Sequence, residues 1–204
     1  FYTRSWVEDI QRVIGGLRAE MHSVSEIHLA HDSADNSKVL KFIEDWHFSR
    51  GKSHEPLGRK AAGKSIFHLH FDSYNHSVQA FDWGSRQSAK RLTCYDKTSW
   101  LQRKELKSYI THFHEANGMN GSPEKPIIRC ELKLKKKALD KIKDFDWTKL
   151  ESPDYLASIY QDQIRSWFDF VPTIGNKNRH RRERVSLLTF DGFSVEKLDQ
   201  EKDR

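Results

Sequence analysis

"SIFHLHFDSYNHSVQAFDWGSRQSAKRLTCYD", residues 65–96, decides the fold. Three short runs in it, SIFHLHF, SVQAFDW and AKRLTCYD, alternate apolar and polar residues, and the intervening DSYNH and GSRQS have turn composition. That spacing predicts three short strands in sequence. KPIIRCELKLK at 125–135 returns to the same alternation, and VSEIHLAHD at 24–32 is a further β-like run.

Helical spacing accounts for much of the rest. SWVEDIQRVIGGLRAEM places Trp6, Ile10, Val13, Ile14, Leu17 and Met21 on a helical repeat weakened at Gly15 and Gly16. DNSKVLKFIEDWHF carries capping residues ahead of an amphipathic helix, and KTSWLQRKELKSYITHFHEANG reads as one long helix stopped at Gly118. Further helices are expected over 137–145 and 152–170, a mobile loop over the Gly-, Lys- and Ser-rich 49–64, and a last strand at RVSLLTFD. Strands gathered in one antiparallel sheet with helices packed on it define an α+β fold. Residues 1–172 are expected to form the core and 173–204 a basic C-terminal extension that opens at Pro172 and Gly175.

At 204 residues a single domain is the default. The hydrophobic fraction is 36% and the charged fraction 31%, and the 6 Trp, 6 Tyr and 12 Phe suffice to build a core, which excludes a disordered chain. Cys94 and Cys130 give no disulfide framework; each sits in an alternating apolar run and reads as a buried free thiol, which suits a reducing cytoplasm. No run is apolar over the roughly 20 residues a bilayer requires. The chain starts at Phe1 rather than Met and is expected to be a fragment lacking flanking segments.

The net charge of +6 favours an anionic partner. Basic residues gather at Lys133–Lys137, at Lys177–Arg184, and at Arg86, Lys90, Arg91 and Lys97. Phe81, Trp83, Tyr95 and Trp100 are interleaved with the last group, the mixture expected where a nucleic-acid backbone is neutralised and bases stack. A solvated basic face is the plain alternative for each cluster.

Side chains able to bind metals alternate on the strands. Glu26 and His28 share a face to which Asp32 returns; His68 and His70 share a face; Arg129, Glu131 and Lys133 share a face. A carboxylate flanked by same-face cations is either an ion-paired surface ladder or a polar active face. A mixed His and carboxylate set suits Mg²⁺ or Mn²⁺ better than a closed zinc site, and no CxxC pair exists. Tyr95 is either an amphipathic strand residue or a nucleophile with Lys97, two residues on, facing the same way.

WGSRQSAKRLTCYDKTSW and the later RCELKLKKKAL resemble rolling-circle replication initiators of the plasmid Rep_trans type and the filamentous-phage gene II type. Those families show a G-S-R-x-S turn, a strand ending in Y-x-K, a later R-x-E strand and an earlier R-I-D-x-A-x-D strand, which EIHLAHD resembles. The resemblance spans roughly residues 24–140. It implies an HUH/Rep-like nuclease core in which Tyr95 is the nucleophile, Lys97 its companion, and Glu131 and Asp32 metal-site residues. His28 stands where an aspartate is usual and Glu26 where an arginine is usual. HLH at 68–70 matches the His-hydrophobe-His motif of the wider HUH endonucleases, so that His68 and His70 either complete the site or mimic it.

The reaction implied is strand cleavage by tyrosine attack, forming a 5′-phosphotyrosine and freeing a 3′-hydroxyl, which keeps the phosphodiester bond energy for rejoining. A phenol with pKa near 10 needs help to attack at neutral pH, from Lys97 and from the divalent ion. Arg86, Lys90, Arg91 and Arg129 are expected to hold phosphates, Trp83 or Trp100 to stack a base, and Arg181 and Arg182 to contact the backbone. Tyr109, Tyr155, Tyr160 and Tyr74 are the other tyrosines to weigh. The expected partners are single-stranded or hairpin DNA and a host helicase, with no membrane and a cytoplasmic location. The competing readings are a relaxase of the same chemistry, a non-catalytic DNA-binding or regulatory module of the same fold, and a basic structural domain.

Overall fold

The computed structural model describes residues 6–17, 21, 23–56, 67–72, 76–103 and 108–188. Strand β6, Ile128–Lys135, shows the alternation on which the sheet is built. Ile128, Cys130, Leu132 and Leu134 are buried, while Arg129, Glu131, Lys133 and Lys135 between them are not. Around it stand β1 (Glu26–Ser33), β5 (Lys90–Asp96), β4 (Val78–Trp83) and β3 (Phe67–Phe71), in the order β1-β6-β5-β4-β3 and antiparallel throughout. Period-two alternation therefore sorts the sheet into an apolar face and a polar face. A second, two-stranded sheet pairs β2 (His54–Pro56) with β7 (Phe170–Pro172).

The apolar face is closed by α2 (Lys38–Phe48), through Val39, Leu40 and Ile43, and by α6 (Pro153–Arg165), through Ile159, Tyr160 and Ile164. Burying these aliphatic side chains contributes about 1.5–3 kcal/mol each before entropy is charged against it. Phe81 stacks on Phe168 at 5.5 Å, and Trp83 and Trp46 meet Phe170 edge-on at 5.8 and 5.5 Å. Cys94 and Cys130 are free, fully buried and opposite one another in this core. Ser152 caps α6 by accepting from the Tyr155 N–H, with Pro153 at the first helical position.

Several expected elements differ. Of the helix expected over 97–118, the pieces α3 (Lys97–Arg103) and α4 (Ser108–Ala116) are helical, and 104–107 lie outside the described residues. It does stop at Gly118, whose φ of 67° is the left-handed conformation glycine adopts without strain. The helix expected over 137–145 is the single turn α5 (Lys136–Leu139), because Asp144 has φ 55° and Asp146 starts a separate 3-10 turn. The helix expected to reach 170 ends at Arg165, and the chain turns extended to pair with β2. That pairing also overturns a structureless loop at 54–56; residues 57–64 lie outside the described residues. The first helix, α1, covers Trp6–Gly16. Of the last expected strand, Val185 makes one antiparallel bridge to Phe170, and 189–191 lie outside the described residues, as do Tyr74 and the centre of its turn. Among the described residues no helix is long and apolar enough to cross a membrane.

Candidate active site on the polar face of the sheet

Register fixes what the polar face holds. Asp32 lies opposite Arg129 and Arg129 opposite Tyr95; Ala30 lies opposite Glu131 and Glu131 opposite Thr93; His28 lies opposite Lys133 and Lys133 opposite Arg91. From β4 and β3 the same face receives Ala80, Asp82, His68 and His70. Each carboxylate there is held by its own set of donors.

Asp32 is the most enclosed of them. Arg129 grips it with two parallel bonds, Nε to Oδ1 and a terminal nitrogen to Oδ2, both 2.6 Å, and His114 of α4 meets Oδ2 at 2.7 Å. Burial acts to raise the Asp32 pKa, but the bonds from Arg129 and His114 outweigh it and hold it at about 2. Asp82 accepts from Thr93 Oγ1 at 2.6 Å and from Arg91 at 2.8 and 3.2 Å, and lies 3.3 Å from His70 Nε2. There too burial pushes upward and the donors, Arg91 first, bring the carboxyl below its usual range. Glu26 meets both Lys133 Nζ and His28 Nε2 at 2.7 Å.

Tyr95 donates its hydroxyl to Glu131 Oε1 at 2.9 Å. Its phenol is pushed well above the ordinary value, first by burial and then by the Glu131 carboxylate, with Arg129 opposing. The phenol borders an open pocket of about 470 Å³ whose lining includes Arg86, Arg91, His70, Asp96, Ser99 and Trp100. The pocket joins two guanidinium groups, an aromatic ring and the tyrosine, a combination suited to a phosphate with a base beside it.

Lys97 departs from expectation. It is the first residue of α3 rather than a strand residue beside Tyr95, because Asp96 caps the helix by accepting from the Ser99 N–H at 2.9 Å and the Ser99 hydroxyl at 2.7 Å. The lysine is 1% exposed, with Nζ 3.6 Å from the Trp100 ring centre and 5.8 Å from that of Tyr95. It stays near the tyrosine by a cation–π contact, not by strand alternation.

Other expected contacts are corrected by burial and register. Trp83 is 1% exposed inside the core and cannot stack a base. Lys90 lies opposite Leu134, hence on the face turned away from Tyr95; burial, and then Lys141, lower its pKa. Arg182 is a structural clamp, bonding Glu55 at 2.7 Å and the carbonyls of Pro172, Thr173 and Asn176. Arg181 and Arg86 are exposed. Tyr160 is buried and donates to the Cys130 carbonyl at 3.1 Å, the Tyr155 hydroxyl accepts from the Asp146 N–H at 2.8 Å, and Tyr109 is exposed on α4.

The five side chains expected to hold a divalent ion fall into separate groups: Asp32 with Arg129, Glu131 with Tyr95, His28 with Glu26, and His70 with Asp82, while exposed His68 stands opposite Asp82 in register. Among the described residues no cluster of three or more His, Cys, Asp or Glu is arranged to hold a metal. Both Asp32 oxygens are committed to cationic or ring donors, so this donor set does not fit Mg²⁺ or Mn²⁺ as arranged. Asp82, Thr93, Asp96 and His114 shape the site without having been singled out in the sequence. The capping spacing of Asp96 and Ser99 was a legible signal; His114 had none.

Among solved structures, the chain is similar to a rolling circle replication initiator protein from Geobacillus stearothermophilus, at 12% identity and a TM-score of 0.52. The match covers 98% of this chain and 62% of that one, so the chain spans about three-fifths of that protein's length. The likeness is one of fold, an α+β core built on a five-stranded antiparallel sheet. No protein-family model matches the sequence, and comparison with curated proteins gives no match.

Proposed function

We propose that the chain is the nicking core of a replication initiator, in which Tyr95 attacks a DNA phosphodiester to give a 5′-phosphotyrosine and a free 3′-hydroxyl during rolling-circle replication of a plasmid, phage or mobile element. The observation that carries the reading is the position of Tyr95: a half-buried phenol on the polar face, at the rim of a pocket lined by Arg86 and Arg91 alongside Asp82 and Asp96. The shared fold supports it, and so does the order of the motifs along the chain. Arg86 and Arg91 hold the phosphates flanking the cleaved bond, and Trp100 contributes its ring to the same pocket.

The test is adduct formation on labelled single-stranded DNA taken from the element's own intergenic sequence, read on a denaturing gel. A protein–DNA band is expected with the wild type and none with Tyr95→Phe, at equal DNA affinity. An adduct that survives Tyr95→Phe moves the nucleophile to another tyrosine. The same assay in EDTA and in Mg²⁺ or Mn²⁺ tests the divalent ion; a strict requirement means that DNA regroups donors now held apart, Glu131 among them. The separation of those donors is also the observation that favours the second reading, a non-catalytic DNA-binding module. That reading predicts binding with no adduct under either condition.

A further inference from the structure

Lys90 opens β5 on the face turned away from Tyr95, half-buried at the margin of the apolar side. The charge that acts on it is that of another cation, Lys141, two residues past α5 and bonded back to that turn by its N–H to the Ala138 carbonyl at 3.2 Å. Among the described residues neither ammonium has an ion-pair or hydrogen-bond partner, and Asp140, next to Lys141 in the chain, is taken by Lys136 at 3.1 Å. Two cations held together, one of them half-buried, are unfavourable until an anion joins them. An indole stands beside the pair. At Gly84, just past β4, an added Cβ would lie 2.6 Å from the Lys90 carbonyl and 3.1 Å from the Trp167 ring, so this partly exposed ring lies against the backbone where β5 begins. The same turn leads to the Tyr95 pocket. Arg86 lines that pocket, its carbonyl accepts from Lys135 Nζ at 3.1 Å, and the Lys135 N–H bonds the carbonyl of Ala89, the residue before Lys90, at 2.9 Å. Cations thus follow the end of the sheet from the pocket on one face to Lys90 and Lys141 on the other, where an aromatic ring awaits.

From this arrangement we infer that the end of the sheet carries single-stranded DNA away from the Tyr95 pocket, with Lys90 and Lys141 sharing one phosphate and Trp167 stacking the base next to it. The inference rests on the reading that the Tyr95 pocket takes DNA. A free inorganic anion would satisfy the two lysines alone; the indole beside them and the continuity with the pocket specify a strand. The shared phosphate cancels the repulsion between the lysines, so groups that oppose one another in the free protein become favourable contacts in the complex. The track also lengthens the bound segment beyond the nucleotides at Tyr95, which makes strand length the property to measure.

The experiment is fluorescence titration, at four salt concentrations, of labelled single strands of about 4 and about 16 nucleotides, the range of single-strand site sizes. Lys90→Met and Lys141→Met are each expected to weaken the long strand and to flatten its dependence of log affinity on log salt by about 0.7, the share of one phosphate. The double variant is expected to lose no more than either single one, because both lysines serve the same phosphate. Binding of the short strand is expected to stay within about twofold of wild type, and the melting temperatures of the lysine variants to hold or rise as a like-charged neighbour is removed. Trp167→Leu is expected to weaken the long strand about tenfold, the worth of one stacked base, with the salt slope unchanged; should it not fold, the lysine variants decide alone. Lys38→Met removes one exposed charge on α2 and is expected to change neither strand. Equal losses on the two strands, additive losses in the double variant, or losses matched by Lys38→Met overturn the inference. Arg86→Ala is expected to weaken both strands; if it weakens neither, the reading of the pocket as a DNA site falls instead, and that variant tells the two failures apart.

Discussion

Asp32, 4% exposed, sits between the Arg129 guanidinium and the 5% exposed ring of His114, which joins β1, β6 and α4 through one carboxylate. A carboxyl held at about 2 in the folded protein and near 3.8 when unfolded contributes about 2 kcal/mol of stability above the unfolded value. The sign is that of a depressed acid: the contribution is complete above roughly pH 5 and disappears as pH falls through 4 towards 2. Asp32→Ala leaves a half-buried guanidinium without its carboxylate and is expected to cost about 3–5 kcal/mol. Urea unfolding of both proteins at several pH values from 2 to 6 checks this, since the stability gap between them should narrow on the acid side. The parity of Asp32 within β1, of Tyr95 within β5 and of Arg129 and Glu131 within β6 was legible in the sequence because alternation is local, whereas their meeting on one face is set by the register between the strands. The partner of Asp32 was not. His114 lies 82 residues away on a helix whose own spacing says nothing about which strand it meets.

At the scale of elements, the two glycines with positive φ that end a strand and a helix separate conformational strain from lack of space. Gly118 has φ 67° and nothing within 4 Å of where a Cβ would stand, whereas at Gly84, φ 93°, a Cβ would lie 2.6 Å from the Lys90 carbonyl and 3.1 Å from the Trp167 ring. Gly118→Ala is expected to cost about 1 kcal/mol, the left-handed penalty alone, and Gly84→Ala about 3 kcal/mol or more because the β4–β5 turn must also move. Denaturant midpoints at constant m-value measure both, and equal losses would refute the steric account. The strands of the main sheet and α2 were readable because each carries its period within its own residues. The short elements were not. His54–Pro56 and Phe170–Pro172 are three residues each, too short for a period, and are strands only because they pair with one another. Lys97 shows the opposite case, a readable signal outweighed by a neighbouring pattern: the alternation of KRLTCYD carries on to Lys97 as though the strand continued, when Asp96, the last residue of β5, caps α3 with its carboxylate.

At the scale of the whole molecule, the surplus of positive charge matters only where it is free to meet phosphate. Arg181 and Arg182 are adjacent in the sequence and appear equivalent in composition, yet the fold gives them different tasks. Arg181 is exposed. Arg182 has a side chain 12% exposed, reaches Glu55 across 127 residues of chain and bonds three backbone carbonyls of the segment leading out of β7. Arg181→Ala is therefore expected to weaken single-stranded DNA binding and to flatten the dependence of log affinity on log salt by about 0.7, the share of one phosphate contact on a single strand. Arg182→Ala is expected to change that slope by less than half as much and to lose about 2–3 kcal/mol of folding stability, since Glu55 and the carbonyls forfeit a charged donor. Fluorescence titration of a labelled oligonucleotide at four salt concentrations, paired with urea unfolding of each variant, separates the two effects. Equal slope changes from both variants would mean that the basic C-terminal run meets DNA as an undifferentiated charged segment. Unequal ones, in the stated direction, would mean that the β2–β7 pair anchors the run and fixes which of its cations face the nucleic acid.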